Sequence, residues 1–385
     1  MQPTQYHSTP DESILAVSLE NSKKNWKIGL YDGKHNNPTV KTVDGEHPAQ
    51  RLSETVAVIE TMKKKWGLPE DTQVVVVYEA GQDGFWIQRA LEKLGYEVLV
   101  VDPASMPVER HAKRAKTDRL DAIMLVMNLW AWLRGERDRM RVVRVLSEQD
   151  EAQRQLVRER GELQKETQQS QDRTRKLLRT VGCWTRVDAT FAKRLAAGEV
   201  RCHDGRELPQ QLRDRLKNEC ERLALAQEQL KDLEASMQER VTPEARADIE
   251  KLTRLMGIGV VGATRMRTEF FWRDFNNRRQ VGACLGMVPQ PYDSGQSRVD
   301  QGISKRSGRR VRPLAIEWAW MWPRYQPDSE LTKWFLERTR GGGKRMRRIY
   351  IVGLARKLVI ALWRYLKDDT VPKGAVMKPM VTKPA

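Results

Sequence analysis

Short apolar blocks punctuate the first hundred positions of the chain. Ile14 to Glu20 (ILAVSLE), Trp26 to Tyr31 (WKIGLY) and Thr39 to Val43 read as three strands of a meander, broken by Asn, Lys and Gly. A helical pattern is expected from Ala49 to Trp66. The run Gln73 to Tyr78 (QVVVVY) is apolar on both faces, as a strand at the centre of a sheet would be. Gly84 to Leu94 reads as a helix, Glu97 to Val101 as a further strand, and TDRLDAIMLVMNLWAWL from Thr117 as a long helix with an apolar face. Residues 1–145 are therefore expected to form one α/β domain.

The pattern then changes. Residues 146–245 are rich in Gln, Glu and Arg and poor in β-branched side chains, which predicts long helices. Leu216, Leu223, Leu230 and Met237 recur every seven residues, with Leu212, Ala226 and Leu233 as a second seam. That spacing predicts a coiled-coil hairpin or a dimer helix, with helices packed on their own domain as the plainer alternative. Gly182 to Pro209 interrupts the pattern as a loop-rich insertion. Residues 246–368 read as mostly helical and basic, with Trp at 272, 318, 320, 322, 334 and 363. Residues 369–385, rich in Pro, Lys and Val, are expected to be a disordered tail.

Charge adds a partner to this picture. Across 385 residues, 69 Lys and Arg face 51 Asp and Glu, a net charge of +18 that points to a polyanion, nucleic acid first. No apolar run approaches the roughly 20 residues that span a bilayer, and the polar start MQPTQYHSTPDES lacks a secretory pattern, so a cytoplasmic protein is expected. The four cysteines form no CxxC pair and the five histidines no HxxxH or HxH spacing, which argues against zinc. A catalytic metal would need oxygen ligands.

Those ligands have candidates. Glu20 closes the first strand, Glu79 closes the central one, and Asp118 and Asp121 lie three apart on one helix face. Each alone reads as an ordinary surface carboxylate. On an RNase H-like sheet they would converge, and their mutual repulsion would call for Mg2+. Met256-Gly257-Ile258-Gly259 resembles a helix-hairpin-helix turn able to grip a phosphate, or equally a tight interhelical turn. Ser294 sits in a polar, glycine-flexible stretch, followed by Lys305, Arg306, Arg309, Arg310 and Arg312, cations that could hold charge developing on a phosphate. Arg338 to Arg348 (RTRGGGKRMRR) adds Lys344, Arg345, Arg347 and Arg348 as backbone contacts.

Several motifs coincide with one family. SLENSK sets Glu20 ahead of a lysine, Tyr78-Glu79-Ala80-Gly81 closes the central strand, and Lys116-Thr117-Asp118-Arg119-Leu120-Asp121-Ala122 is the most distinctive element. Downstream lie Gly257 to Gly259, Tyr292 to Gly295, and Gly302 to Lys305 (GISK). In this set and order the chain resembles the insertion-sequence-110 family of transposases over nearly its whole length. The resemblance implies a RuvC-like, RNase H-fold nuclease domain, a coiled-coil region and a serine-bearing transposase domain. It implies Mg2+ on Glu20, Glu79, Asp118 and Asp121, and Ser294 as the nucleophile that becomes phosphoserine-linked to DNA. It further implies donor and target DNA, a structured guide (bridge) RNA pairing with both, and a homodimer or homotetramer. Two positions depart from the family pattern: Glu20 stands where Asp is more usual, and Ser307-Gly308 where Gly-Asn is frequent. An RNase H-like nuclease or junction resolvase without serine chemistry, or an inactive nucleic-acid-binding protein, are the alternatives.

Overall fold

Strand β1 (Ile14–Asn21) is buried from Leu15 to Leu19 and takes the middle of a sheet. The computed structural model describes residues 14–81, 84–106, 117–294, 297–304 and 307–379. The chain divides into two units, one ending at Leu146 and one starting at Ser147.

In the first unit β1 pairs antiparallel with β2 (Trp26–Tyr31), and β2 with β3 (Thr39–Val43). Helix α1 (Pro48–Lys65) starts on a proline, whose missing N–H costs nothing in a first turn, and ends on three lysines that suit the negative end of its dipole. Strand β4 (Gln73–Glu79) lies parallel to β1. Helix α2 (Trp86–Lys93) is shorter than the Gly84 start expected, because Gly84 sits at φ +63°, outside helical space. Strand β5 (Glu97–Val101) runs parallel to β4, which completes the order β3-β2-β1-β4-β5 among the described residues.

Helix α3 (Asp118–Leu133) opens on Thr117, whose side chain accepts from the Leu120 N–H. The period-2 alternation of the strands then separates two cores. Leu15, Val17, Leu19, Val74, Val76 and Tyr78 pack on the face of α1 and α2. Ala16, Val75 and Val77 pack with Leu125, Val126 and Leu129 of α3 on the other. The approach of α3 is close: Ser18 Oγ donates to the Ala122 carbonyl at 2.6 Å, and a Cβ on Gly29 would lie 2.8 Å from that same oxygen.

The second unit opens with α4 (Glu148–Arg179), 32 residues capped by Ser147. After α5 (Phe191–Ala196), helix α6 (Gln210–Ser236) folds back along α4. The expected heptad positions line this contact. Leu216, Ala226, Leu233 and Met237 are buried, and Leu223 and Leu230 are half-buried. Of the two readings the spacing allowed, the hairpin within one chain is the one observed, so the stripe expected as a possible dimer seam is covered by α4. Residues 182–209, expected to be loop-rich, also carry a small core of Cys183, Val187, Phe191, Leu195, Val200 and Leu208 at the hairpin tip.

The remainder is α7 (Pro243–Thr253), α8 (Val260–Met266) running into a π-helical turn at Arg267–Phe271, α9 (Arg278–Cys284), the hairpin β6 (Pro289–Ser294) and β7 (Ser297–Ile303), α10 (Arg312–Tyr325), α11 (Glu330–Thr339) and α12 (Lys344–Asp368). Its core draws on nearly all of these helices, with Ile249, Phe270, Trp318, Trp322 and Leu358 among the buried side chains. The expectation of a disordered tail is corrected as far as residue 379. Lys373 O accepts from Glu330 N, Val376 O from Met256 N, and Lys378 N donates to Arg254 O, so the segment is hydrogen-bonded back onto the helices.

Candidate active site and nucleic-acid surfaces

Two parallel strands deliver the first two carboxylates. The β1–β4 register pairs Leu19 with Tyr78, so one residue further Glu20, next to last in β1, and Glu79, last in β4, lie at the same edge. They continue the Ala16, Ser18 and Val75, Val77 alternation, which is the face that α3 covers. Asp118 and Asp121 occupy the first turn of α3, where carboxylates also favour the positive end of the helix dipole. The Ser18 bond to Ala122 fixes that turn beside β1.

Glu20 and Asp121 are half-buried, Glu79 and Asp118 exposed. The backbone thus brings all four to one sheet edge, with the hard oxygen donors that suit a divalent cation. Among the described residues no three Asp, Glu, His or Cys side chains close into a group able to hold a metal ion. Lys116, which opens the Lys-Thr-Asp motif, lies outside the described residues.

Ser294, expected in a loop, is instead the last residue of β6, opposite Ser297 across the hairpin. Lys305 and Arg306 fall outside the described residues. The turn that follows is latched to the end of α9: Ser307 Oγ donates to Ala283 O at 2.8 Å, and Gly308, at φ +66°, would place a Cβ 2.4 Å from Leu285 O. The left-handed backbone and the missing room for a Cβ together account for a glycine at 308.

Arg309 and Arg310 are exposed, as a nucleic-acid surface needs. Arg312 departs from that expectation, because its guanidinium donates to the Leu285 and Ser307 carbonyls and braces the turn. The Gly257–Gly259 turn, read as a phosphate grip or a tight interhelical turn, joins α7 to α8. Gly257, at φ +89°, would set a Cβ 2.9 Å from Tyr325 Cβ, the Met256 N–H donates to Val376 O, and the Ile258 carbonyl accepts from Lys378 Nζ. Gly259 remains exposed at the start of α8. The turn is mainly a dock for the tail.

Residues 344–349, including Lys344, Arg345, Arg347 and Arg348, are exposed on every side of the first turns of α12. Sequence spacing did not single out a buried charge network in this unit. Glu269 binds Arg154 at 3.1 Å and Arg158 at 3.2 Å, and Arg267 binds Asp248. Burial pushes the Glu269 carboxyl up, and the two arginines more than reverse that, holding it below the ordinary carboxylate range.

Comparison with known proteins gives this geometry a class. Residues 35–182 match the DEDD transposase model of IS110, and residues 249–333 match the Transposase IS116/IS110/IS902 family. A Sinorhizobium fredii protein named "Putative transposase y4rJ" is 36% identical over 380 residues, 96% of both chains. The transposase for insertion sequence element IS1328 of Yersinia enterocolitica is 24% identical over 64% of this chain and 70% of its own. That for IS1533 of Leptospira borgpetersenii is 26% identical over 68% and 73%. These matches define a transposase, a class of enzyme that cuts and rejoins DNA. The chain belongs to the IS110 family of insertion-sequence transposases. No helix among the described residues is long and apolar enough to cross a membrane.

Proposed function

We propose that this transposase cuts DNA with a carboxylate-held Mg2+ and a serine nucleophile, guided by a structured RNA. The observation that carries the reading is the shared edge: Glu20 and Glu79 lie at the ends of neighbouring parallel strands, next to last and last, on the face that α3, with Asp118 and Asp121 in its first turn, covers. The sheet order β3-β2-β1-β4-β5, with β2 alone antiparallel to its neighbours β1 and β3, supports the RNase H-like assignment of that unit. Mg2+ on these four residues would supply charge neutralisation at the scissile phosphate.

Ser294 attacks phosphorus. Its Oγ–P bond forms as the P–O3′ bond breaks, and the hydroxyl proton leaves with the released 3′ oxygen, giving a phosphoserine-linked end and a free 3′-hydroxyl. Arg309 and Arg310 follow β7 closely in sequence and supply cations for the charge on the transferring phosphate. Guide-RNA pairing with donor and target, and assembly as a homodimer or homotetramer, rest on family membership.

The test separates chemistry from binding. Asp118→Asn and Glu79→Gln should abolish strand cleavage while nucleic-acid affinity stays within about twofold, since the basic surfaces are untouched. Ser294→Ala should bind DNA yet leave no covalent adduct on a denaturing gel, while Ser297→Ala and Ser304→Ala retain some. An undiminished adduct from Ser294→Ala removes the serine role. Normal recombination by Asp118→Asn removes the metal role.

A further inference from the structure

The tip of the helical hairpin carries the most exposed large aromatic among the described residues. Trp184 is 78% exposed, although Cys183 and Val187 on either side of it are buried in the tip core. Its placement is fixed by the end of α4. Gly182 N–H donates to Arg179 O and Cys183 N–H to Leu178 O, a Schellman closure with Gly182 at φ +69°. His203 packs over Gly182, where a Cβ would lie 2.7 Å away. On the far side Arg194 binds Thr185, Arg186 O at 2.6 Å and Asp188 at 3.3 Å, so the segment that follows the tryptophan is held at three points.

A braced, outward-facing indole needs a reason. Its ring carries Arg179, with the guanidinium carbon 5.1 Å from the centroid, and at 78% exposure the opposite face is open. A groove of about 360 Å3 lies beside it, its lining including Arg175, Arg179, Trp184, Arg186, Val187 and Asp188. This falls at the small end of ligand clefts, roughly 300–1,000 Å3. Arg175 is paired with Asp172 at 2.9 Å, and Asp188 is taken by Arg194 and Thr190. Among the described residues no carboxylate lies within ion-pair distance of Arg179 or Arg186. The groove therefore offers one flat π surface and two uncompensated guanidinium groups.

We propose that the hairpin tip is a stacking site for an unpaired nucleobase of a single-stranded nucleic acid, with Trp184 taking the base and Arg179 and Arg186 the flanking phosphates. Base stacking on aromatic side chains beside cations is the common chemistry of single-strand recognition, whereas duplex bases are already stacked on each other. RNA and DNA share that chemistry. The site rests on the nucleic-acid reading above but not on its cleavage chemistry.

The full chain, with labelled unstructured RNA and DNA strands of one sequence and a duplex of that sequence, tests it by fluorescence anisotropy. Trp184→Ala should weaken single-strand binding about tenfold and leave duplex binding unchanged. Trp184→Phe, which keeps a π face, should recover most of the loss. Arg179→Gln with Arg186→Gln should flatten the single-strand salt dependence by ~0.7 for each phosphate no longer neutralised. A loss confined to RNA, or shared with DNA, supports the site and identifies its ligand. Equal single-strand affinity for Trp184→Ala and wild type overturns it. So does a Trp184→Ala variant whose only change is a lower mass in solution, since the patch would then join protein to protein. Ser294-dependent adduct formation by the same preparations is read separately, so either proposal can fail while the other stands.

Discussion

Glu269 shows how a single side chain can stabilise this fold and set its response to acid. Its carboxylate is 3% exposed and lies between Arg154 and Arg158. Glu269→Gln would leave two part-buried guanidinium groups without their counter-charge, at a cost of ~3 kcal/mol in urea unfolding at neutral pH. Because the folded pKa lies below the unfolded one, the contribution is full above the ordinary carboxylate range and is lost as pH falls through that range towards the folded value. Wild type should therefore keep its advantage over the variant from neutral pH down to about pH 5 and lose it progressively as pH falls further, and an advantage that is constant with pH would remove Glu269 as the titrating group. At this scale the sequence was legible where position is tied to a short motif, as with Glu79 at the end of β4 and Asp118 at the start of α3. It was silent where partners are distant. Gln326 is fully buried and binds Met256 O at 2.8 Å, Val376 O at 2.9 Å and Val376 N at 2.6 Å, positions 70 and 50 residues away that no local spacing relates.

The α4–α6 hairpin was visible as a heptad, but its partner was not. A seven-residue apolar repeat states that a helix has a seam and leaves open which helix fills it. The structure answers with α4, and inserts a polar layer in which the buried Glu219 accepts from Ser170 at 2.9 Å and Arg173 at 3.1 Å. Leu223→Asp with Leu230→Asp should consequently lower the helical signal and thermal stability of the chain without changing its mass in solution. A reduced mass with an intact hairpin would place the stripe at a subunit interface instead. Gly182→Ala probes the other end of the same element. The left-handed turn costs a Cβ-bearing residue ~1–2 kcal/mol and His203 blocks the added carbon, so hydrogen exchange should rise across residues 182–208 while the helices near Ser147 keep their protection. Unchanged exchange would show that the turn does not hold the tip.

At the scale of the whole molecule, the proposed function gives binding and chemistry to different residues, so the two should be separable. The net charge of +18 gives nucleic-acid affinity a large electrostatic share, which composition alone made legible. Which cations carry it was not legible, because a sequence cannot distinguish an arginine that braces a turn from one that faces solvent. Arg312 is the first kind and Arg345, Arg347 and Arg348 the second, since residues 344–349 are exposed around the whole start of α12. If those three arginines neutralise phosphates of duplex DNA, replacing each with Gln removes the counterion release that it drives. The slope of log K against log salt should become shallower by ~0.9 for each arginine replaced, up to ~2.7 for the triple variant. Arg312→Gln should instead lower stability through the Ser307–Gly308 turn and leave the slope of the folded fraction as in wild type. Asp118→Asn should keep the full slope and lose cleavage. A triple variant with the wild-type slope would show that the start of α12 meets no phosphate, and the basic surface would then have to be sought at Arg309 and Arg310.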